Sequence, residues 1–327
     1  MEPAGPEARA GAVAAGSSAG PGQGRSAGTQ GPRRRGGPQE PVEHPAGWEP
    51  IVTQVTPGLA APVMRRGPQT AAGGTIAVRV ALFITCLCDL FFPEVGESTV
   101  RLLRRLGVEV TFPAGQTCCG QPAYNTGYTT EARDVARNLI EAFEREAPGL
   151  PVVTPSGSCA AMIRHHYPRL FADEPAWAAR AAAFAERVYE LSEFIVHVLG
   201  RTDLGGRYPA VATFHRSCHM ARGLGLVEEP LALLRAVEGL ELVDLPHPGE
   251  CCGFGGTFAV KMAELSEAMV DAKIRTIEET GAQLLVGCDV GCLMHIGGRL
   301  RRLGRPVRVL HLAQLLDEAT RPARQTA

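Results

Sequence analysis

Gln116-Thr117-Cys118-Cys119-Gly120-Gln121 and Glu250-Cys251-Cys252-Gly253-Phe254 share a Cys-Cys-Gly core, and lone cysteines frame each at matched distances. Cys86 precedes the first and Cys159 follows it; Cys218 precedes the second and Cys292 follows it. The frames read C-x31-CCG-x38-C and C-x32-CCG-x38-C. With ten Cys and 38 Gly in 327 residues, about 0.04 such tripeptides are expected by chance, so two in matched frames mark an internal duplication. A duplication that preserves scattered cysteines points to thiolates converging on a centre, most simply a metal cluster.

Working outward, Val78-Arg79-Val80-Ala81-Leu82-Phe83-Ile84-Thr85 has the composition of a buried strand and ends at Cys86. Leu102, Leu103 and Leu106 give a helical face closed by Gly107, and a second strand is expected over 108–113. A helix from about Thr129 to Glu146 leads to a strand at 151–154, which empties into Ser156-Gly157-Ser158-Cys159. The second half repeats the order. A strand at 210–214 precedes Cys218, a helix runs to about Val237, and a strand at 240–245 precedes Cys251. A long helix to about Thr280 and a strand at 283–287 then lead to Cys292. Strands alternating with helices predict parallel sheets, one per half, with every cysteine at or just past a strand's carboxyl end. That edge is where open α/β sheets bind ligands. Leu191-Ser192-Glu193-Phe194 echoes Leu312-Ala313-Gln314-Leu315, and a helical insertion is expected around 173–180.

Composition narrows the function classes. A net charge of -1 leaves no nucleic-acid footprint, and 45% hydrophobic residues support packed cores. No apolar run reaches the roughly 18 residues of a membrane span. Arg33 to Arg35 lead into Gly-Gly-Pro-Gln-Glu-Pro with no apolar segment, so no export signal is read there. A reducing, cytoplasmic setting is expected, where paired cysteines are ligands or redox groups more often than staples. Residues 1–75, rich in Gly, Ala, Pro, Arg and Ser, are expected to be disordered, with Met64 a second start just ahead of the ordered part.

The residue types favour iron–sulfur chemistry over a single ion or metal-free redox thiols. Adjacent Cα atoms lie about 3.8 Å apart, below the roughly 4.4–6.8 Å of a relaxed disulfide, whereas a polynuclear cluster can accept both thiolates. Zinc sites usually show pairs of C-x2–4-C knuckles, and no such pair occurs here. The glycine after each pair allows close backbone approach to sulfur. His219, beside Cys218, is read either as a donor to the centre or as a plain hydrogen-bonded histidine; His215 flanks the same cysteine. His165-His166 is expected on a solvated helix face. Phe254-Gly255-Gly256-Thr257 is read as backbone wrapping the second site, and Lys261 and Lys273 stand out only as the sole lysines. No fingerprint for a nicotinamide or flavin is present.

The frames resemble the cysteine-rich (CCG) domain found twice in a subunit of heterodisulfide reductase and in the iron–sulfur subunits of glycolate oxidase and anaerobic glycerol-3-phosphate dehydrogenase. Leu82-Phe83-Ile84-Thr85-Cys86, Phe92-Pro93-Glu94-Val95-Gly96, Cys118-Cys119-Gly120-Gln121-Pro122-Ala123-Tyr124-Asn125, Glu250-Cys251-Cys252-Gly253-Phe254-Gly255-Gly256 and Cys292-Leu293-Met294-His295 resemble the lactate-utilization protein A family more closely. The resemblance covers about residues 78–318. It implies two duplicated, Rossmann-like parallel-sheet cysteine-rich domains related by pseudo-symmetry, 76–204 and 205–320. It also implies a cytoplasmic iron–sulfur protein of L-lactate oxidation to pyruvate, working with two companion proteins, one of them ferredoxin-like.

The fullest form of the family motif ends in C-x-x-C, and here Ser156 and Asp289 replace its earlier cysteine. Four cysteines per half suit a conventional [4Fe–4S] cluster in each domain: Cys86, Cys118, Cys119 and Cys159, then Cys218, Cys251, Cys252 and Cys292. Asp289 is a candidate oxygen ligand and Cys288 a candidate thiol at the second site, while Cys88 is read as a small buried hydrophobe. The expected role is an electron-transfer subunit without autonomous activity, since no base or arginine clamp for lactate stands out. The competing reading is a heterodisulfide-reductase-like thiol/disulfide oxidoreductase, which the missing C-x-x-C disfavours. A metal-free scaffold with packed cysteines is the third.

Overall fold

The computed structural model describes residues 78–321; the tail expected to be disordered, 1–75, lies outside them. The first half forms a four-stranded sheet from β1 (Arg79–Leu82), β2 (Glu109–Thr111), β3 (Val152–Thr154) and β4 (Val188–Glu190), in the order β2-β1-β3-β4. The second half repeats it with β5 (Arg207–His215), β6 (Glu238–Val243), β7 (Leu284–Gly287) and β8 (Arg308–His311), in the order β6-β5-β7-β8. Every pairing is parallel, with Ala81 opposite Val152 and Thr213 opposite Leu285. The expected α/β class with two duplicated parallel sheets is therefore what the chain adopts.

Six strands fall where the alternation placed them, and helix Thr129–Glu146 matches the expected span. β4 and β8 were not foreseen. Val188-Tyr189-Glu190 and Arg308-Val309-Leu310-His311 are edge strands with too few apolar residues to show a period. Each ends on a buried polar residue that caps the next helix. Glu190 and His311 both form capping boxes, over Leu191–Glu193 and Leu312–Ala319, which explains the echo between those stretches. The expected insertion is a helix, Pro175–Glu186. Two long helices are broken instead: the one after Cys218 stops at Gly225 before Glu228–Arg235, and Met262 separates Thr257–Lys261 from Ala263–Glu279.

Strand periodicity sorts side chains between cores. On β1 and β3, Val80 and Val153 face a core that also contains Ala212 and Phe214 of β5 and Leu284 and Val286 of β7. Ala81, Phe83 and Val152 face the opposite way, onto a core of first-half residues that Leu224 of the second half also touches, and Leu285 faces the corresponding core of the second. The halves thus share one apolar interior. Helix Pro93–Arg105 packs there against Leu312–Ala319, with Leu102 and Leu103 meeting Leu312, Leu315 and Leu316.

Asp317 anchors the rim of that contact. Its wholly buried carboxylate accepts hydrogen bonds from Arg101 Nε at 2.9 Å, from Arg321 at 3.0 Å, and from Arg105. Burial alone would push this carboxyl up; Arg105, Arg321 and Arg101 win and hold it below its ordinary range. Breaking a buried ion pair costs about 3–5 kcal/mol, but these arginines are partly exposed and rehydrate. Asp317→Ala should therefore lower stability by about 2 kcal/mol, read as a drop in urea midpoint at neutral pH. A folded-state pKa below the unfolded value gives stability that is present at neutral pH and lost as pH falls through the depressed value. The gap between wild type and variant should accordingly close in acid.

Candidate metal centres

Three strand ends deliver the thiols of each half. After β1 the chain turns at Thr85, whose hydroxyl caps helix Cys86–Phe91 by accepting from Cys88 N. After β2, Gln116 ties the cysteine loops together: its Oε1 accepts from Ile84 N at 2.8 Å, and its Nε2 donates to Leu82 O at 3.2 Å. Cys118 and Cys119 follow, then Gly120 with φ 81°. After β3, Ser156 caps helix Gly157–Ala161 by accepting from Cys159 N at 3.2 Å. In the second half Cys218 follows β5, Cys251 and Cys252 follow β6, and Cys292 lies in helix Val290–Arg302 after β7. Gly253 has φ 87°, and a Cβ there would stand 2.8 Å from both Met269 Cβ and Ser266 O, so only glycine fits.

All ten cysteines are free. The expected eight gather into two groups of four, and among the described residues no other cysteine joins either group through a thiol–thiol contact. In the first, Cys86 Sγ lies 3.5 Å from Cys118 Sγ, Cys119 Sγ lies 3.4 Å from Cys159 Sγ, and Cys118 and Cys119 also hydrogen-bond. In the second, the thiols of Cys218, Cys251, Cys252 and Cys292 lie near enough for each to shift its neighbour's protonation, and the sulfurs of Cys252 and Cys292 lie within 4.8 Å of each other. The backbone N–H of Gly120 points at Cys118 Sγ and that of Gly253 at Cys251 Sγ, each at 3.4 Å. Such amides stabilise thiolates and cluster sulfur.

Charge is shared unevenly within each group. Hydrogen bonds from Cys119 and Cys86, with the Gly120 amide, hold the Cys118 thiol down at about 3. Cys218, then Cys252 and the Gly253 amide, hold Cys251 at about 2. Cys86 and Cys218 are pushed up by donating to those thiolates and by burial; Cys119 and Cys252 are pushed up by their bonded neighbours and burial. Cys292 is drawn to about 7 by its bond to Cys252, with a further contribution from His215. Four close thiols cannot all ionise against one another, whereas a cationic centre among them removes that limit.

A second observation bears on what the groups hold. His215, at the end of β5, is 2% exposed; among the described residues no oxygen or nitrogen partners either ring nitrogen, and the ring lies against the Cys292 thiol, whose pKa it helps lower. One ring nitrogen and the sulfurs of Cys252 and Cys292 lie within 4.8 Å of one another, an arrangement able to hold a metal ion. Unpaired buried nitrogens, converging thiols and amides aimed at sulfur fit an iron–sulfur centre.

The remaining candidates are placed elsewhere. Asp289 lies at the seam between the halves: Oδ1 accepts from Ser156 Oγ at 2.8 Å and Ser158 N at 2.9 Å, and Oδ2 accepts from Ser217 Oγ. The two residues that replace the motif cysteines therefore bind each other. Cys288 packs in the shared core, its thiol pushed well up by burial. Cys88 is a buried hydrophobe among Ile84, Val95 and Val290, raised to about 12 by burial. His219 Nδ1 is 3.6 Å from Cys218 Sγ. His166 is not solvated as expected: it is half-buried, its ring lies tilted by 39° against Tyr124 with centroids 4.7 Å apart, and burial lowers its pKa. Lys273, which drew no role from the sequence, is wholly buried with Nζ 3.2 Å from His247 O. Its only signal was position, inside the helix that follows the second Cys-Cys-Gly.

These thiol states predict an order of reaction. In metal-free, reduced protein at neutral pH, brief treatment with iodoacetamide should label Cys118 and Cys251 first, because the thiolate is the nucleophile and both are partly exposed. Cys88, Cys119, Cys252 and Cys288 should react last; peptide mass spectrometry reads the order.

Known proteins resemble the chain across both halves. A family model described as a cysteine-rich domain matches residues 80–164 and again 212–297. Lactate utilization protein A 2 of Bacillus cereus (strain 03BB102) is 54% identical over 239 residues, 73% of this chain and 98% of that protein. Lactate utilization protein A of Bacillus velezensis is 55% identical over 240 residues, with 73% and 99% covered. Among solved structures, a hypothetical protein from Helicobacter pylori superposes with a TM-score of 0.55 at 13% identity, over 80% of this chain and 52% of that one, and so shares the fold. Two cysteine-rich matches on the two sheets, and identity above half across almost the full length of these relatives, make this chain a member of the lactate utilization protein A family.

Proposed function

We propose that this protein is a cytoplasmic iron–sulfur electron-transfer subunit of a multi-protein complex that oxidises L-lactate to pyruvate. The observation that carries this reading is the gathering of eight repeat-matched thiols into two groups of four at strand carboxyl ends. Cys86, Cys118, Cys119 and Cys159 would hold one [4Fe–4S] cluster, and Cys218, Cys251, Cys252 and Cys292 a second. Clusters supply one-electron chemistry, and two of them suit the two electrons released per lactate. The chain's own part is to hold the sulfurs, aim the Gly120 and Gly253 amides at them, and keep the groups at loop ends where a partner can approach.

No helix among the described residues is long and apolar enough to cross a membrane. The names of the relatives support a role in lactate utilization, and two companion proteins, one ferredoxin-like, would supply the remaining centres. The competing thiol/disulfide oxidoreductase needs an extra thiolate at each site. Here those positions are Ser156 and Asp289, whose side chains are spent on each other.

Anaerobic purification or reconstitution should give stoichiometric iron and sulfide with broad absorption in the visible. Cys119→Ala or Cys252→Ala should each remove about half of both while leaving the other half's signal. Reconstituted protein without stoichiometric iron and sulfide would refute the reading. Lactate-dependent dye reduction should be absent with this chain alone and appear when the companion proteins are added; turnover by the chain alone would place the substrate site here instead.

A further inference from the structure

The two thiol groups share a frame but not an environment. Three residues before Cys86, just past the end of β1, stands the fully buried Phe83; three residues before Cys218, at the end of β5, stands His215. Three residues after Cys159 is Met162, and three after Cys292 is His295. Helix Thr129–Glu146, behind the first pair, turns the aliphatic Leu139 and Ile140 inward, whereas helix Ala263–Glu279, behind the second, buries Lys273 in the corresponding turn. Three apolar positions in the first half are thus three nitrogen-bearing positions in the second.

Each of the three is tied to the second site. Lys273 Nζ donates to His247 O and lies 4.0 Å from Glu250, the residue before Cys251. His295 Nε2 is 3.2 Å from Ser266 Oγ, which donates to Gly253 O at 2.8 Å. His215 stands beside the sulfurs of Cys252 and Cys292, and among the described residues no oxygen or nitrogen partners either ring nitrogen. A buried donor left unsatisfied costs about 1–3 kcal/mol, so this position is built around an acceptor placed among the sulfurs. Four thiols complete the ligand set, as in the first half, and leave the imidazole N–H for hydrogen bonding.

We propose that His215 donates a hydrogen bond to the sulfur of the second centre and, with Lys273 and His295 nearby, sets that centre at a more positive reduction potential than the first. Reduction adds negative charge to a cluster, and donors to its sulfurs stabilise the reduced form. Around the first centre, Phe83, Ile140 and Met162 offer no donor at the matching positions, and the buried Tyr167 hydroxyl there donates to Cys119 O at 2.9 Å rather than to a sulfur. The chain would then carry two inequivalent centres on a duplicated frame.

This inference rests on the iron–sulfur reading, and an electron-spin-resonance redox titration of the anaerobically loaded full-length chain separates the two. Cys119→Ala isolates the second centre and Cys252→Ala the first. The more positive midpoint should survive in Cys119→Ala and vanish in Cys252→Ala. Adding His215→Phe to Cys119→Ala should move that midpoint to more negative potential with iron per chain unchanged. The reciprocal Phe83→His in the Cys252→Ala background should move the first midpoint positive, and it carries the test if His215→Phe does not fold. Equal midpoints, a more positive first centre, or a loaded His215→Phe protein with an unmoved midpoint would each overturn the proposal. So would loss of iron in His215→Phe, which would make the histidine a ligand. A wild-type chain that takes up no iron and sulfide would instead defeat the iron–sulfur reading itself.

Discussion

In a parallel sheet every strand ends on the same edge, and the architecture of this protein follows from that constraint. Four sulfurs separated by more than seventy residues of sequence can meet only if three neighbouring strands release their loops at one place. The orders β2-β1-β3-β4 and β6-β5-β7-β8 set β1 and β5 between the strands that precede the other cysteines. Gln116 then fixes the spacing of two loops directly by binding Leu82 and Ile84 backbone groups at the end of β1 and Pro113 O in its own loop. The glycine after each cysteine pair takes a positive φ, so its amide faces the preceding sulfur rather than solvent.

The duplication did not produce two independent bodies. Val80 and Val153 of one sheet share a core with Phe214 and Val286 of the other, and Gly157 lies so close to Met220 that a Cβ would meet it at 2.5 Å. The polar side of this union is the Asp289 carboxylate, gripped by Ser156, Ser158 and Ser217. Ser156 and Asp289 occupy matched positions of the two frames, so the hydrogen bond between them joins a position to its own duplicate. A cysteine in both places would give up that bond.

Much of this was legible before any coordinates. The Cys-Cys-Gly frames announced the duplication, the buried strand runs before Cys86, Cys159, Cys218 and Cys292 announced the parallel sheets, and the eight matched cysteines gathered in the structure in two groups of four. The edge strands were not legible, because Val188-Tyr189-Glu190 is too short to display a period and is held by the pairing of its backbone with β3. The break at Gly225 carries a local signal, since its φ of 72° makes it a left-handed glycine cap, whereas Met262 gives none.

What the sequence determined by itself was the count and spacing of thiols, since these are properties of a linear repeat, and with them the α/β class. What only the tertiary structure decided was the surroundings of each thiol group. Asp289 and Cys288 adjoin the second frame in sequence, yet one turns into the seam and the other into the shared core. Lys273, twenty residues past Gly253, comes to lie wholly buried behind the second pair. Whether a side chain beside a cysteine faces the sulfurs or the core depends on strand register and on packing from the other half. Those are long-range contacts, and no local pattern in the chain encodes them.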